Sequence, residues 1–447
     1  MEKNKIKVLV VPSDRTGVSY FRSTKPHITL ETMYPKEFHI DIEYEPKLDN
    51  DKWLSQYDII HYHRTFGPYE RVDDWYVLDA EGKEVGEKQE GIISRCKRLG
   101  IVTFMDIDDH WAPGPHHPAH LIIKNNQIDK KIVSNLKCAE NILTTTPIFA
   151  KELERVSGRK NVFVLPNAID PTEKQFTPNL EPSDRIRIGW LGGSSHLKDL
   201  ELLNGLVGRL KADGLMDKVQ FVLCGFDLRG SVTMIDKDGK QTQRPIKPKE
   251  SVWYKYEQIF TDNYNSVSPE YKEFLEAFKK GEDKGVENES YRRVWTKPIS
   301  TYASNYNLFD ISLAPIEENL FNKVKSQLKV IESGFHKKAI IAQDFGPYQI
   351  DLTNAYVKPT SKKDKASFDD TANSLLGSSN KNHKQWYQHV KRLITNPELI
   401  TTLQNNLYDT VKDTYSIEAV TKNRRDVYLN ALAKVKKTEA VENNVAS

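Results

Sequence analysis

Short apolar runs alternate with helix-like segments along this chain, and no other feature of the sequence constrains the fold as strongly. The first run, 6–11, is continuously apolar, which is typical of a strand covered on both faces in a parallel sheet. A helical pattern over about 18–33 follows it. This alternation predicts a doubly wound α/β domain. Further strands are predicted over 38–44, 57–63, 100–106, 141–146 and 161–167, and further helices over 86–98, 127–139 and 147–156.

The pattern restarts after a polar, proline-containing stretch, 170–184, which indicates an interdomain linker. The second round predicts strands over 185–192, 218–225, 308–315 and 337–343, and helices over 197–211, 326–336 and 380–436. The segment 226–298 is too long for an ordinary connection, which predicts an insertion in the second domain. We therefore expect two Rossmann-like domains, 1–180 and 181–410, that face each other across a cleft. A third segment, 411–447, ends in a polar tail.

The composition is that of an ordinary soluble protein. The 447 residues suffice for two or three domains, with 38% hydrophobic and 28% charged residues. The formal net charge, 65 − 62 = +3, is too small to indicate nucleic acid or an anionic membrane as the partner. Three cysteines, an odd number, encode no disulfide framework. No apolar stretch reaches 18 residues, so we expect no membrane-spanning helix and a cytoplasmic location, with a peripheral membrane contact left open.

A glycine-rich turn follows the strand predicted over 185–192. Gly192 and Gly193 allow a ligand to approach the backbone closely, and Ser194 or Ser195 is placed to cap the next helix. Lys198 lies in the first turn of that helix, where free N–H groups and the helix dipole bind anions. A plain strand-to-helix turn with a solvent-facing lysine explains the same residues equally well.

A second candidate anion site follows the strand predicted over 308–315. Ser326 is placed as a helix N-cap, which leaves the N–H groups of Gln327 and Leu328 for a phosphate, and Lys323 or Lys325 adds positive charge. Glu332 borders the apolar face of the helix, where a carboxylate is suited to bind the vicinal hydroxyls of a ribose. The alternative is an ordinary capped amphipathic helix with Glu332 on its polar face.

These two segments carry a family resemblance. IGWLGGSSHLKDL and DISLAPIEENLFNKVKSQLKVIESGFHKKAIIA resemble the donor-binding half of GT-B glycosyltransferases of the retaining, GT4-like type. YDIIHYHR, ILTTTPIFAKEL and VLPNAID resemble parts of that family's first domain and of its crossing into the second. The five motifs stand in the family's order and cover about residues 6–225 and 295–345, leaving the insertion unmatched.

The resemblance implies a nucleoside-diphosphate sugar as donor, UDP- or GDP-linked, and no required metal or other cofactor. It places Gly192 and Gly193 against the diphosphate, Lys198 and the helix start at 326–328 on the phosphates, and Glu332 on the ribose. It also implies that the sugar keeps its anomeric configuration, with the leaving phosphate oxygen taking the proton of the acceptor. The acceptor would lie mostly on the first domain, and the C-terminal helix would cross back to that domain.

Two departures from the family's pattern concern the donor side. The family's glycine-then-arginine after the first strand of this domain reads Gly192-Gly193 here, and Lys198 stands one residue early. Of the family's two glutamates eight residues apart, only the second, Glu332, is present, because Val324 occupies the first position. The first glutamate usually touches the transferred sugar, so the identity of the sugar stays open.

The loop after the strand predicted over 100–106 carries the densest set of ionisable residues. The catalytic candidates in this loop are Asp106, Asp109 and His110. The acceptor-side candidates at the end of a neighbouring strand are His61, His63 and Arg64. The loop after the first strand adds Gly17, and the following helix adds Tyr20 and Arg22, which we expect to face the cleft. Any of these histidines is alternatively an ordinary core residue, and the first loop an ordinary turn.

Two metal interpretations of that loop are weaker. Asp106-Ile107-Asp108 matches the D-x-D motif with which another glycosyltransferase fold binds a divalent ion, but the two-domain layout argues against that fold. His110, His116, His117 and His120 raise the question of zinc, but their spacing matches no familiar ligand set. We therefore predict no metal site.

A glycosyltransferase is the function that we expect, with a hydroxyl of a glycan, lipid-linked glycan, protein or modified nucleobase as acceptor. A nucleotide-sugar 2-epimerase of the same fold is one alternative, and a catalytically inactive binding module is another, supported only by the two departures. In the insertion, Trp253, Tyr254, Lys255 and Tyr256 suit base stacking, although we favour a small packed subdomain.

Overall fold

The chain forms two compact units. The first comprises Met1–Asp170, Lys323–Gln327 and Thr414–Ser447, and the second comprises Pro171–Asn322 and Leu328–Asp413. The sequence analysis sets the domain boundaries at 180/181 and 410/411. The computed structural model describes residues 5–66, 72–79, 81, 83–179, 182–227, 230–235, 241–262, 276, 280, 289–359, 367–378 and 383–445.

The first unit is built on a parallel sheet of six strands, and all six predicted strands are present. The strand order is β2-β1-β3-β6-β7-β8, and a separate antiparallel hairpin pairs β4 with β5. The strands are β1 (Ile6–Val11), β2 (Phe38–Ile42), β3 (Ile59–His63), β4 (Trp75–Leu78), β5 (Glu84–Gln89), β6 (Val102–Asp106), β7 (Asn141–Thr144) and β8 (Val162–Val164).

Helices connect these strands. The predicted helix over 86–98 is wrong in its first half, because β5 occupies residues 84–89 and the helix begins only at Ile92. A π-helical turn, Tyr20–Thr24, joins α1 to α2. The helices are α1 (Gly17–Ser19), α2 (Lys25–Met33), α3 (Asp51–Leu54), α4 (Ile92–Arg98), α5 (His120–Asn125), α6 (Ile128–Cys138) and α7 (Pro147–Ser157).

The apolar run of β1 explains why its sheet is buried on both faces. Val8 and Val10 pack into one core with Ile59 and Phe104. Leu9 and Val11, which alternate with them, pack into a second core on the opposite face. Because side chains alternate along a strand, a strand covered on both sides has no polar face.

The second unit repeats this architecture with a different strand order, β13-β10-β9-β14-β15-β18. Of these six strands, the sequence analysis predicts β9, β10, β14 and β15 and misses the two edge strands. Two antiparallel hairpins, β11–β12 and β16–β17, lie outside the sheet. The strands are β9 (Ile186–Leu191), β10 (Val219–Phe226), β11 (Ser231–Ile235), β12 (Gln241–Pro245), β13 (Tyr291–Trp295), β14 (Ile311–Ala314), β15 (Ala339–Gln343), β16 (Tyr356–Val357), β17 (Ser367–Phe368) and β18 (Leu375–Gly377).

Seven helices are described in this unit. The predicted helix over 197–211 is two helices, because Gly205 adopts a left-handed backbone (φ 89°) between them. This unit also contains 3-10 segments at Lys174–Phe176, Met216–Lys218, Pro248–Glu250, Tyr302–Leu308 and Gly346–Ile350. The α-helices are α8 (Leu197–Glu201), α9 (Leu206–Ala212), α10 (Val252–Thr261), α11 (Leu320–Lys323), α12 (Leu328–Phe335), α13 (Lys384–Thr395) and α14 (Pro397–Val411).

Part of the predicted insertion, 226–298, belongs to the Rossmann-like framework. α10 is the crossover between the parallel neighbours β10 and β13, and its Trp253 and Tyr256 are buried in the core. The alternative that these two residues stack on bases is therefore wrong, because both side chains are packed in the core. Tyr254 is half-buried and Lys255 is exposed. Most of the remainder, including 263–275 and 281–288, lies outside the described residues.

The C-terminal segment belongs to the first unit. Its helix, α15 (Ile417–Val445), places Tyr428 in the core beside Phe104. The predicted polar tail, 437–447, is helical as far as Val445. None of the helices in the described part of the chain is long and apolar enough to cross a membrane.

A buried lysine gives the second unit a distinctive pH response. Lys338 is 1% exposed, and burial lowers its pKa to about 8, against a smaller opposing effect of Asp310. The charged form is therefore disfavoured in the folded state, so stability is lost as the pH falls from about 10.5 through about 8. We expect Lys338→Met to stabilise the protein at pH 7 by about 3 kcal/mol, from 1.36 kcal/mol per pKa unit.

Calorimetric unfolding of the variant and of the native protein checks this expectation. The stability difference is expected to shrink toward zero between pH 8 and pH 10.5. Lys337→Met, at the exposed neighbouring lysine, is the matched control and should change stability little. A Lys338→Met protein that is no more stable than the control at pH 7 contradicts the assignment.

Candidate functional site

The strand order of each unit locates its binding edge. In open α/β sheets, ligands bind at the carboxyl ends of the strands where the strand order reverses. In the first unit that point lies between β1 and β3, and in the second it lies between β9 and β14. The loops that follow these four strands carry most of the residues predicted from the sequence.

The turn after β9 leaves its backbone open to a ligand. A Cβ atom at Gly192 would lie 2.5 Å from the ring of Trp190, so only glycine fits there. A Cβ atom at Gly193 would meet nothing within 4 Å, and both Gly193 and Ser194 are exposed. Gly192 is thus required by packing, whereas Gly193 faces open space.

The helix after this turn begins later than the sequence suggests. α8 starts at Leu197 with His196 in the cap position, so Ser194 is not its cap. Lys198 forms an ion pair with Glu201 at 2.7 Å, and this hydrogen bond raises the pKa of the lysine. Lys198 therefore stays charged, but Glu201 competes with any phosphate for it.

Asp199 ties the loop after β9 to the loop after β14, a role that the sequence analysis misses. The carboxylate is 4% exposed. It accepts hydrogen bonds from the backbone N–H of Glu317 at 2.7 Å and from the Asn322 amide at 3.0 Å. Its other oxygen contacts His196 Nδ1 at 2.7 Å. The two loops at the switch point of the second unit are therefore held by one carboxylate.

Glu332 lies on α12 and is oriented by two tyrosines. Tyr306 donates to one carboxylate oxygen at 2.9 Å, and Tyr302 donates to the other. Burial raises the pKa of Glu332, while the two hydroxyls and the charge of Lys329 oppose that rise. The alternative of a solvent-facing polar residue is wrong, because Glu332 is 4% exposed. Its position is fixed before any ligand arrives.

Lys329 is the cation of this site that the sequence analysis overlooks. Its ammonium group donates to the carbonyl oxygen of Leu191, at the end of β9, and lies 5.0 Å from the centroid of the Trp190 ring. It stands three residues before Glu332, a spacing that places both side chains on one helix face. That spacing was available in the sequence.

The segment Lys323–Gln327 packs with the first unit rather than the second. α12 begins at Leu328, so Ser326 lies one residue before the cap position, and the predicted cap is wrong. The Ser326 hydroxyl accepts from Asn167 at 3.2 Å, and the buried Gln327 donates to the Tyr415 hydroxyl at 3.0 Å. Side chains of the first unit therefore hold this segment.

Two other residues of this segment bear on the predicted donor site. Val324, at the position of the family's first glutamate, is 1% exposed in an apolar core. Lys325 is half-buried, and its charge lowers the pKa of Asp109 against larger opposing effects. The departure at Val324 is thus a packing residue.

Arg22 and Asp106 form a buried ion pair in the first unit. They are 1% and 0% exposed, so the expectation that Arg22 faces an open cleft is wrong. The guanidinium donates to both oxygens of Asp106, at 2.9 and 3.1 Å. It also donates to the carbonyl oxygen of Leu165 and, at 3.2 Å, to Asn167, which in turn holds Ser326.

His61 belongs to the same buried network. It contacts the Tyr428 hydroxyl at 3.1 Å, and His27 contacts that hydroxyl at 2.8 Å. Burial holds the pKa of both histidines well below the usual value. Both are therefore neutral core residues, and through Tyr428 His61 joins β3 to α15 while His27 joins α2 to α15. For His61 this is the alternative of an ordinary core histidine.

A hydrogen-bonded chain crosses the switch point of the first unit. The exposed hydroxyl of Ser13 lies 2.7 Å from His63 Nδ1, and His63 Nε2 lies 2.9 Å from Asp108. Arg64, whose backbone is left-handed (φ 61°), donates to Asp108 at 2.8 Å. Burial opposes ionisation of Asp108, but Arg64 and His63 hold its pKa well below the usual value. Neither Ser13 nor Asp108 was selected from the sequence as a candidate.

The remaining candidate residues of this unit lie outside that hydrogen-bonded series. Asp109 lies 3.6 Å from Arg64, and its enclosed position and the neighbouring Asp108 carboxylate raise its pKa. His110 is 8% exposed and stacks on Trp111, and burial lowers its pKa. Gly17 begins α1, and Tyr20 is half-buried against Phe21. Of these residues, Asp109 has the most exposed charge.

The structure gives no support to the two metal interpretations. Within the described residues, no group of three or more His, Cys, Asp or Glu side chains is placed to hold a metal ion. In the D-x-D sequence, Asp106 is paired with Arg22, and Asp108 with Arg64 and His63. His120 contacts the carbonyl oxygen of Pro113, and His110 is buried.

Comparisons with known proteins bear on the fold. No protein-family model matches the sequence, and no curated protein matches it significantly. A glycosyltransferase from Rickettsia africae ESF-5 is 12% identical with a TM-score of 0.55, over 96% of this chain and 99% of that one. Sucrose-phosphate synthase from Thermosynechococcus elongatus has the same identity and TM-score, over 96% of this chain and 100% of its own.

A third similar structure was solved with a nucleotide. HepE from Anabaena, in complex with UDP and glucose, is 10% identical with a TM-score of 0.51, over 95% of this chain and 100% of its own. Identities this low bear on architecture alone. Since the likeness extends over nearly the whole chain, the protein has the two-domain GT-B fold that the sequence resemblance predicts.

Proposed function

We propose that the protein is a glycosyltransferase that moves a sugar from a nucleoside-diphosphate sugar to a hydroxyl acceptor. The observation that carries this proposal is the constellation at the switch point of the second unit. A glycine turn with open backbone, a lysine and a pre-oriented carboxylate converge on the edge where such sheets bind ligands. The solved complex of HepE with UDP and glucose supports a UDP-sugar as the donor.

Each donor-side residue has a role in this proposal. The backbone at Gly192 and Gly193 approaches the diphosphate, and Glu332 accepts hydrogen bonds from the ribose hydroxyls. Lys329 supplies the positive charge that the family's missing arginine would give, because its ammonium group already reaches the end of β9. Lys198 adds a second positive charge, but its ammonium group must first leave its ion pair with Glu201.

The segment around Ser326 completes the donor side. Lys325 and the N–H groups near Gln327 and Leu328 are proposed to bind phosphate, held in place by Asn167 and Tyr415. We further propose GT4-like chemistry, with retention at the anomeric carbon and without a metal ion. Positive side chains and oriented N–H groups then stabilise the leaving diphosphate.

The acceptor side is assigned to the first unit. Asp109, which is half-buried beside Arg64 and whose pKa is raised, is the acidic group that we place nearest to the acceptor. The buried Asp106 and Arg22 are assigned as positioning residues of the same unit. The acceptor is a hydroxyl of a glycan, lipid-linked glycan, protein or modified nucleobase, and the protein is placed in the cytoplasm, where nucleotide sugars are made available.

A thermal-shift screen against UDP-, GDP-, dTDP- and CDP-glucose tests the proposal. A ligand at 100 times its Kd stabilises the folded state by about 2.7 kcal/mol, which for domains of this size raises the Tm by about 5 °C. We expect that shift with UDP-glucose or GDP-glucose. No shift with any of the four would contradict the donor site.

The same samples separate the rival functions. A nucleotide-sugar 2-epimerase would convert the donor without any acceptor into an epimeric sugar, which chromatography detects. An inactive binding module would show the thermal shift but release no nucleoside diphosphate with any hydroxyl compound. Nucleotide release that depends on an added hydroxyl acceptor is the result expected for a transferase.

A further inference from the structure

The chain of hydrogen bonds through Ser13, His63 and Asp108 has a defined direction. Asp108 is ionised, because Arg64 and His63 hold its pKa low, so it only accepts hydrogen bonds. His63 Nε2 therefore carries the proton that bridges the 2.9 Å contact. In the neutral ring, Nδ1 then presents its lone pair to Ser13, at 2.7 Å.

The other end of the chain closes on a second carboxylate. Ser13 Oγ also lies 2.9 Å from Asp14, whose carboxylate accepts from the backbone N–H and the hydroxyl of Thr16. The Ser13 hydroxyl has one hydrogen and two acceptors for it, His63 and Asp14. Once His63 is protonated, Nδ1–H donates to Ser13, and the serine hydrogen turns to Asp14. The network therefore has a satisfied arrangement with His63 either neutral or charged.

Burial and exposure are distributed as such a network requires. His63 is fully buried, whereas Ser13 is exposed. A substrate hydroxyl thus reaches His63 only through the serine hydroxyl. Both lie at the switch point between β1 and β3, and the left-handed backbone of Arg64 there is of the kind that clusters at functional sites.

We propose that Ser13, His63 and Asp108 form a proton relay that activates the acceptor hydroxyl in the transfer proposed above. The acceptor O–H bond breaks, and its proton passes to Ser13 Oγ while the serine proton passes to His63 Nδ1. The acceptor oxygen forms the bond to the anomeric carbon, and the bond from that carbon to the diphosphate breaks with its electron pair on the diphosphate. Asp108 and Asp14 stabilise the imidazolium that results.

This relay rests on the proposed function and adds to it. The family resemblance assigns the acceptor's proton to the leaving phosphate, whereas the relay gives this chain a protein group for that role. Asp108 touches neither the substrate nor the reacting atoms and is a positioning residue. Ser13 is the group that contacts the acceptor.

The test uses UDP-glucose hydrolysis by the full chain, with water as the acceptor, measured as UDP release. We expect Ser13→Ala and His63→Gln to lower the rate about 100-fold, in line with the usual contribution of general base catalysis, with the Kd for UDP unchanged within about twofold. His39→Gln, at a half-exposed histidine on β2, is the matched control and should behave as the native protein.

A second measurement examines the relay without turnover. In ¹⁵N-histidine spectra, the neutral form of His63 should show a protonated Nε2 and an unprotonated Nδ1, and Asp108→Asn should alter that pattern. A Ser13→Ala protein with native rate overturns the relay, as does a protonated Nδ1 on neutral His63. If the native protein neither binds nor hydrolyses UDP-glucose, that donor assignment fails, and the spectra decide the relay independently.

Discussion

Replacing Glu332 by glutamine is expected to weaken UDP-glucose binding about 100-fold. A hydrogen bond to a charged group contributes about 1.5–3 kcal/mol, and a carboxylate on two vicinal ribose hydroxyls makes two of them. Glutamine keeps the volume of the side chain but lacks the charge and one acceptor. Since Tyr302 and Tyr306 already fix the carboxylate, no reorganisation on binding reduces this loss.

Isothermal titration calorimetry with UDP-glucose measures the change, with Glu398→Gln as the matched control at an exposed glutamate of α14. The Tm of each variant separates lost affinity from lost folding, because the substitution disturbs the hydrogen bonds of two tyrosines. Lys329→Gln should weaken binding about tenfold, which is about 1.4 kcal/mol, and more at low salt. Native affinity in Glu332→Gln would remove Glu332 from the donor site.

Replacing Asp106 by asparagine is expected to lower the stability of the first unit by about 3–5 kcal/mol. The substitution leaves the guanidinium of Arg22 buried without its counter-charge, and breaking a buried pair on one side has this effect. For a unit of this size the Tm should fall by about 10 °C. Arg22→Met with Asp106→Leu should recover much of the loss, because both charges are removed together.

The exposed ion pair between Arg425 and Glu37, at 2.7 Å, supplies the control. Glu37→Gln should change stability by less than about 1 kcal/mol, because surface pairs contribute little. Asp106→Asn should also weaken donor binding, since Arg22 holds Asn167, and Asn167 holds Ser326. A variant with native Tm and a lost reaction rate would instead make Asp106 a catalytic residue.

Most strands of the two sheets were predictable because their cause is local. A run such as 6–11 is apolar at every position, which no exposed element tolerates. The edge strands β13 and β18 escaped prediction because their residues follow no such pattern. The hairpin strand β5 was wrongly predicted as part of a helix. All six of its residues are exposed, so no buried face imposes a hydrophobic period on its sequence.

The proposed donor-side residues could be selected from the sequence because they belong to two short motifs. Gly192 and Gly193 follow β9, and Glu332 lies on α12, the helix that follows the loop after β14. Lys329 does not belong to the family's glycine-arginine pattern, so no motif in the sequence singles it out. Its spacing from Glu332 was visible, but its contact with Leu191 depends on a strand more than a hundred residues away.

The proposed acceptor-side residues were harder to select from the sequence than the donor-side residues. Arg22 and Asp106 were selected for their charge and position, and both are buried against each other. Ser13 and Asp108 were passed over, because a lone serine and the second acid of a D-x-D motif are common in any sequence. Only pairing of β1 with β3 and of β3 with β6 brings them to His63.

The sequence by itself determined that the chain folds into two doubly wound α/β units, since hydrophobic periodicity acts within a few tens of residues. The tertiary structure decided which charged residues are buried support and which remain candidates for chemistry. It also decided the strand order of each unit, and with it the edge at which an open α/β sheet of that order binds ligands. Burial and pairing are properties of residues distant in the chain, and no local pattern encodes them.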